Sequence, residues 1–238
     1  MFIINKKNLI IILIVILLLV LLLTKLNSKF GETVPEKTFT KIYETNEWGE
    51  GGNDGTKSYK GSSGDGSLID KVKDTYIPFL QQFIIAKNIK SIVDLGCGDF
   101  QTGKLIYDKL DVKYTGYDTY EKVIDYNKGI FSPPKYSFIF LDFYTKKEQI
   151  ISADLCILKD VIQHWPLEAI YTFLDYLVSS KKFKYILLTN CSFQTEDNTD
   201  IKFGQFRPLS VNYFPLKYYN PVKLYSYDTK EVSLIDLT

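Results

Sequence analysis

Residues 93–100 read VDLGCGDF, and the reading of this stretch decides the fold. It closes a short apolar run, SIVDL (91–95), and passes through Gly96 and Gly98 to TGKLIYDKL (102–110), whose spacing predicts a helix. Two glycines in three residues permit a sharp strand-to-helix turn and leave bare backbone for a ligand to lie against. Outward from this turn the same alternation recurs. KYTGYD (113–118), YSFIFLD (136–142), ADLCILKD (153–160) and KYILLTN (184–190) predict strands, while KVIDYNKG (122–129) and PLEAIYTFLDYLVSS (166–180) predict helices. Strands joined through helices lie parallel, and strands apolar throughout need cover on both faces. Upstream, 67–88 has apolar residues at helical spacing, with Pro78 expected to kink or split the helix. Downstream, VKLYSYD and VSLIDLT predict an antiparallel hairpin. The expected fold is an α/β, doubly wound seven-stranded sheet with an antiparallel ending.

Ligands of such sheets sit at the carboxyl ends of the strands, near the switch in strand order. A nicotinamide-binding turn would read GxGxxG, but the third position counted from Gly96 is Gln101. Asp94 also stands two places before the first glycine, where a carboxylate opposes a pyrophosphate at the helix N-terminus. It suits a cation instead. Asp118 and Asp142 end the next two predicted strands, and an acid at the end of the second can accept both hydroxyls of a ribose. Each acid alone is as readily a helix N-cap. Three of them at the ends of three successive strands argue for one shared ligand.

The Asp-x-Gly-x-Gly pattern resembles the first motif of class I S-adenosylmethionine (SAM)-dependent methyltransferases. The resemblance implies a Rossmann-like fold with SAM as cofactor. It places Asp94 near the amino-acid end of SAM, with Gly96, Cys97 and Gly98 as the cofactor turn. Asp118 falls at the ribose, Asp142 at the adenine amino group and Phe143 beside the adenine ring. Lys159, ending strand four, joins the same cofactor-binding set. A group of these enzymes from large DNA viruses and bacteria has a WG, an SGxGS turn, a DxGCGDF motif and a DVxxH after strand four. This chain has EWG, SGDGS, VDLGCGDF and DVIQHW in that order. It departs from the group where Ser62 and Ser63 replace an arginine, which puts a carboxylate clamp at 62–67 in doubt.

DVIQHW (160–165) holds the only histidine of the chain. Just outside strand four, His164 stands beside the expected methyl donor. A hydroxyl acceptor is a poor nucleophile until its proton leaves, and a neutral imidazole can take that proton. His164 is thus the candidate general base, with Asp160 orienting it or holding the acceptor; lining of the cofactor pocket and simple packing are its other readings. Trp48, Trp165 and Arg207, the only arginine, are candidate acceptor contacts, the last in a polar stretch (198–215) that follows strand five. For Arg207 an ordinary salt bridge is the rival reading, and for Trp165 a place in the core. Asn190 and Asp160 lack a third carboxylate to complete a metal site, so no metal is expected.

Net charge is +1, and no basic stripe is visible, which speaks against a nucleic-acid partner. Three scattered cysteines suit neither a disulfide framework nor a zinc site. Leu9–Leu23 is an unbroken apolar run, roughly 22 Å long as a helix. Flanking side chains can extend it toward the ~30 Å of a bilayer core, and no small-residue cleavage site follows. The organisation expected is a membrane anchor (1–27), a polar, glycine-rich segment or lid (28–66) and a methyltransferase domain (67–238). The protein is then single-pass, with its catalytic domain cytosolic, where free thiols and SAM belong. The activity expected is O-methylation of a sugar or glycan hydroxyl. The alternatives are a lipid or other small-molecule acceptor, and a catalytically inactive interaction module.

Overall fold

Every strand anticipated from the apolar runs forms: β1 (Ser91–Leu95), β2 (Lys113–Asp118), β3 (Tyr136–Phe140), β4 (Ala153–Lys159), β5 (Phe183–Cys191), β6 (Val222–Tyr227) and β7 (Lys230–Asp236). The structure is a computed structural model and describes residues 14–15, 32–50, 58–131, 133–197 and 199–238. One sheet holds all seven strands in the order β3-β2-β1-β4-β5-β7-β6. β1 to β5 are parallel, and β7 is antiparallel to both of its neighbours. The predicted hairpin is therefore present, but its second strand inserts between β5 and β6. Burial explains the choice. The middle of β7, from Glu231 to Ile235, is buried without a break, whereas Val222, Lys223 and Leu224 of β6 are exposed. The strand buried on both faces takes the interior place and the half-exposed one takes the edge.

The helices are α1 (Val34–Glu44), α2 (Ile69–Val72), α3 (Tyr76–Ala86), α4 (Gly103–Tyr107), α5 (Glu121–Ile130) and α6 (Leu167–Ser179). Side chains alternate across a strand, so each strand feeds two cores. Ile92, Tyr114, Leu155 and Ile157 meet Leu80, Phe83, Tyr107 and Ile124 on one face. Val93, Cys156, Leu158 and Ile186 meet Ile170, Phe173 and Leu177 of α6 on the other. Each such side chain, fully buried, contributes about 1.5–3 kcal/mol.

The predicted helix over 67–88 is split, as Pro78 suggested. The break lies upstream of the proline, which occupies the first turn of α3, where a missing N–H costs nothing. At α6, Pro166 precedes the first turn and the Leu167 amide donates to the Asp200 carboxylate (2.7 Å), a cap supplied from a distant loop.

The compact unit runs Pro35–Thr238. α1 buries Ile42 and Tyr43 within this unit. The candidate anchor Leu9–Leu23 lies outside the described residues except for Ile14 and Val15. Among the described residues no helix is long and apolar enough to cross a membrane.

Candidate active site

The carboxyl ends of β1 to β4 open into a cleft of about 1060 Å³, open solvent included. Strand alternation puts Asp94 on the same face as Ile92, and Lys159 on the same face as Ile157. Both therefore point toward Tyr76 of α3, and all three line the cleft. Asp118, Asp142, Phe143, Asp160, His164, Trp165 and Trp48 line it too, as do Gly96, Cys97 and Gly98. Of the predicted site residues only Arg207 is absent from its walls.

The turn itself is tightly held. Gly96 and Gly98 have φ of +84° and +53°, a region costly for other residues. The amides of Gly96 and Cys97 donate to the Tyr117 carbonyl (2.8 and 3.0 Å), and that of Gly98 donates to the Asp118 carboxylate (3.0 Å). The Asp99 amide donates to the Ser63 hydroxyl (2.9 Å), and the Asn127 side-chain amide donates to the Gly98 carbonyl (2.8 Å). These amides are committed within the protein, so the turn is not a phosphate cradle. This agrees with Gln101 and Asp94, which argued against a dinucleotide. The SGDGS turn is also tied into the protein. Its Gly64 amide donates to the Ser62 hydroxyl (3.0 Å), and its Gly66 carbonyl accepts from Lys159 (2.7 Å).

The three acids all line the cleft but are held by different partners. Asp94 accepts from the Tyr114 hydroxyl (2.7 Å). Burial pushes its carboxyl up to about 6, opposed by that hydrogen bond and by Lys159. Burial also pushes Asp118 up to about 6, against hydrogen bonds from the Tyr120, Gly98 and Thr119 amides. Asp142 caps its own turn: it accepts from the amides of Tyr144 (3.0 Å) and Thr145 (3.2 Å) and from the Thr145 hydroxyl (2.7 Å). The capping role weighed for a single strand-terminal acid is thus real at Asp142, alongside its place in the cleft wall. With Asp99 and Asp160, five carboxylates line the cleft against one lysine, Lys159. Such a field favours a cationic ligand.

His164 sits where strand four predicted it, but not as expected of its partner. Its Nδ1 lies 3.1 Å from the Gln205 carbonyl, so the proton is on Nδ1, and Nε2 is the acceptor. The Gln163 amide approaches Nε2 at 3.4 Å. Burial lowers the imidazole to about 4, against the Gln205 hydrogen bond and Asp160. Asp160 does not orient the ring. Its carboxylate is clasped by Lys159 (2.7 Å) and Lys230 (2.5 Å). Burial alone would raise its pKa, but the two ammonium groups outweigh it and hold it below the ordinary range. They also oppose a metal ion at Asp160. Among the described residues no cluster of three metal-ligating side chains occurs.

Arg207 lies off the cleft wall as an internal clamp, and the salt bridge weighed for it is present, 3.7 Å to Asp200. It is 4% exposed, and its guanidinium donates to the carbonyls of Trp165 (2.7 Å) and Thr199 (3.1 Å). Together with the Gly204 amide on the His164 carbonyl (2.9 Å), it ties the loop after β5 to the segment carrying the imidazole. Trp165 packs among Phe143, Tyr144, Phe173 and Phe203, so the core reading applies to most of its surface. Trp48 stands 5.0 Å from the His164 ring and 5.9 Å from Tyr43.

Sequence reasoning missed Tyr114, Lys230, Gln205 and Ser63. Tyr114 had a signal, since it lies on β2 beside β1 on the face of Asp94. Ser63, which bonds both the turn and the Tyr43 hydroxyl (2.9 Å), and Lys230 reach the site only through tertiary folding.

This strand order, with its cleft at the switch point, is the fold of the class I SAM-dependent methyltransferases. The methyltransferase domain of bacterial CtHen1 aligns with a TM-score of 0.55 at 12% identity, over 69% of this chain and 98% of that one. Human N-acetylserotonin methyltransferase, solved with SAM, aligns at 0.57 and 17% identity, over 87% of this chain and 60% of that one. An O-methyltransferase family protein from Burkholderia thailandensis aligns at 0.52 and 9% identity, over 72% and 57%. No protein-family model matches the sequence, and no curated protein matches it.

Proposed function

We propose that the protein is a SAM-dependent O-methyltransferase. The observation that carries this reading is that a carboxylate-rich cleft for a cationic adenosyl ligand and a neutral imidazole share one site. Asp118 stands for the ribose, Asp142 and Phe143 for the adenine, and Asp94 with Lys159 for the charged amino-acid end. SAM supplies a methyl group activated on a sulfonium. The protein must hold the acceptor oxygen in line, about 3–3.5 Å from that carbon, and receive its proton. His164 receives the proton, because Nδ1–H is committed to Gln205 and Nε2, met only by a long contact from the Gln163 amide (3.4 Å), is the acceptor. A weakly basic imidazole takes the proton late, once the forming O–C bond has made the hydroxyl strongly acidic. Asp160 holds Lys159 and Lys230 in place.

The acceptor is a hydroxyl of a glycan, a lipid or another small molecule. Residues 9–23 form a single-pass anchor in this reading, with the catalytic unit on the cytosolic side. Carbonate extraction and protease protection of the full chain test the anchor. An inactive interaction module is the second reading, and Ser63 seated on the glycine turn is the feature that favours it.

Calorimetry of the full chain with SAM and S-adenosylhomocysteine separates the two, followed by labelled-methyl transfer to hydroxyl acceptors. Heat with both ligands, and transfer that His164→Ala abolishes without weakening SAM binding, are expected. Absence of heat refutes the donor assignment. Transfer at the unaltered rate in His164→Ala refutes the base.

A further inference from the structure

Four aromatic rings run in file from the cleft to the surface. Trp48 lies 5.0 Å from His164, His164 lies 5.8 Å from Phe206, and Phe206 lies 6.0 Å from Phe193. The two phenylalanines are 47% and 57% exposed. Nothing in the proposed donor site requires them. They do not owe their exposure to a loose loop. Between them Gln194 is buried, and its amide donates to the carbonyls of Glu196 (2.8 Å) and Phe214 (3.1 Å) and accepts from the Ser210 amide (2.8 Å). The Arg207 amide donates to the Gln163 carbonyl (3.1 Å), and that of Leu209 to the Cys191 carbonyl (2.7 Å). Anchored residues on either side of two phenyl rings held in water beside a candidate base mark a binding surface.

We infer that Trp48, His164, Phe206 and Phe193 form an acceptor shelf, and that the hydroxyl methylated here is borne by a planar aromatic ring. The inference rests on the O-methyltransferase reading and names its substrate class. The two phenyl groups offer apolar faces with no polar handle, against which another aromatic ring packs offset or edge to face. A phenolic hydroxyl, with a pKa of about 10, also gives up its proton far more readily than an aliphatic one. It therefore suits an imidazole that burial has made a weak base. On the shelf the phenolic oxygen forms its bond to the methyl carbon as the sulfonium C–S bond breaks. The thioether leaves with that electron pair, and the phenolic proton passes to Nε2 of His164.

The test uses the full chain in detergent, labelled SAM and two acceptor panels. One panel holds 2-naphthol and 7-hydroxycoumarin; the other holds methyl glucoside and 1-octanol. Transfer to the hydroxyarenes is expected. Phe206→Ala should raise their KM about ten-fold with the SAM Kd unchanged, and Phe206→Trp should restore it. Binding of 2-naphthol, followed by its own fluorescence, should weaken by the same factor in Phe206→Ala, and this readout needs no donor. Preference for glucoside or octanol overturns the inference. So does failure of both hydroxyarenes to accept a methyl group while SAM binds, or an unchanged 2-naphthol affinity in Phe206→Ala. Loss of SAM heat with 2-naphthol binding intact and sensitive to Phe206 refutes the donor reading and upholds the shelf.

Discussion

Tyr114→Phe removes one oxygen from the molecule and tests the electrostatic account of the cleft. The Tyr114 hydroxyl donates to Asp94 at 2.7 Å, and Tyr114 is 1% exposed, so no water replaces it readily. Burial already pushes Asp94 up to about 6, and this hydrogen bond is the largest influence opposing that rise. A hydrogen bond to a charged group contributes about 1.5–3 kcal/mol, and one pH unit is about 1.4 kcal/mol, so the midpoint of Asp94 should rise by roughly one to two units. The sign follows directly. If, as proposed, the charged carboxylate attracts the cationic end of SAM, affinity is full above the midpoint and is lost as pH falls through it. The wild type should lose affinity below about pH 6. In Tyr114→Phe the loss should begin between about pH 7 and 8, and the Kd at pH 7 should rise about four-fold. At pH 8.5 the two proteins should converge, because both carboxyls are then largely ionised. Calorimetric titration with SAM from pH 5.5 to 8.5, scored as the ratio of variant to wild type, reads this directly. A ratio independent of pH refutes the assignment of Asp94 to a cationic ligand group.

The remaining predictions concern the two clamps and the imidazole. Asp160 has φ +59°, which asparagine tolerates, so Asp160→Asn isolates the charge. It leaves Lys159 and Lys230 facing each other, and should cost on the order of 3 kcal/mol in urea unfolding; a cost below about 0.5 kcal/mol refutes the clasp. Arg207→Met strands the carbonyls of Thr199 and Trp165. It should lower stability by about 2–4 kcal/mol and reduce kcat more than SAM affinity, whereas a surface arginine would do neither. Because burial lowers His164 to about 4, kcat at saturating SAM should be flat from about pH 5 to 8. An acidic limb near 6.5 contradicts the buried, neutral ring.

The sheet and its cleft were legible because hydrophobic period and glycine placement are local signals. SIVDL, KYTGYD and ADLCILKD each announce a strand, Gly96 and Gly98 announce the turn, and strand alternation then fixes which faces Asp94 and Lys159 occupy. The order of β6 and β7 was not legible, since two adjacent strands of similar length pair the same way whichever lies outside. The difference in burial between VSLID and VKLYS decides it only in the presence of β5. The same limit applies to side-chain partners. Asp160 and His164 are four residues apart and invite pairing on paper. In the folded chain Asp160 is taken by Lys230, and His164 by a carbonyl at Gln205. Arg207 looked like a surface cation because its neighbours are polar, and its burial follows from two backbone carbonyls brought to it by the loop. Sequence thus determined the scaffold and the sign of its cleft, through periodicity and residue charge. Tertiary structure alone decided which charges neutralise one another, because that depends on distances between segments far apart in the chain.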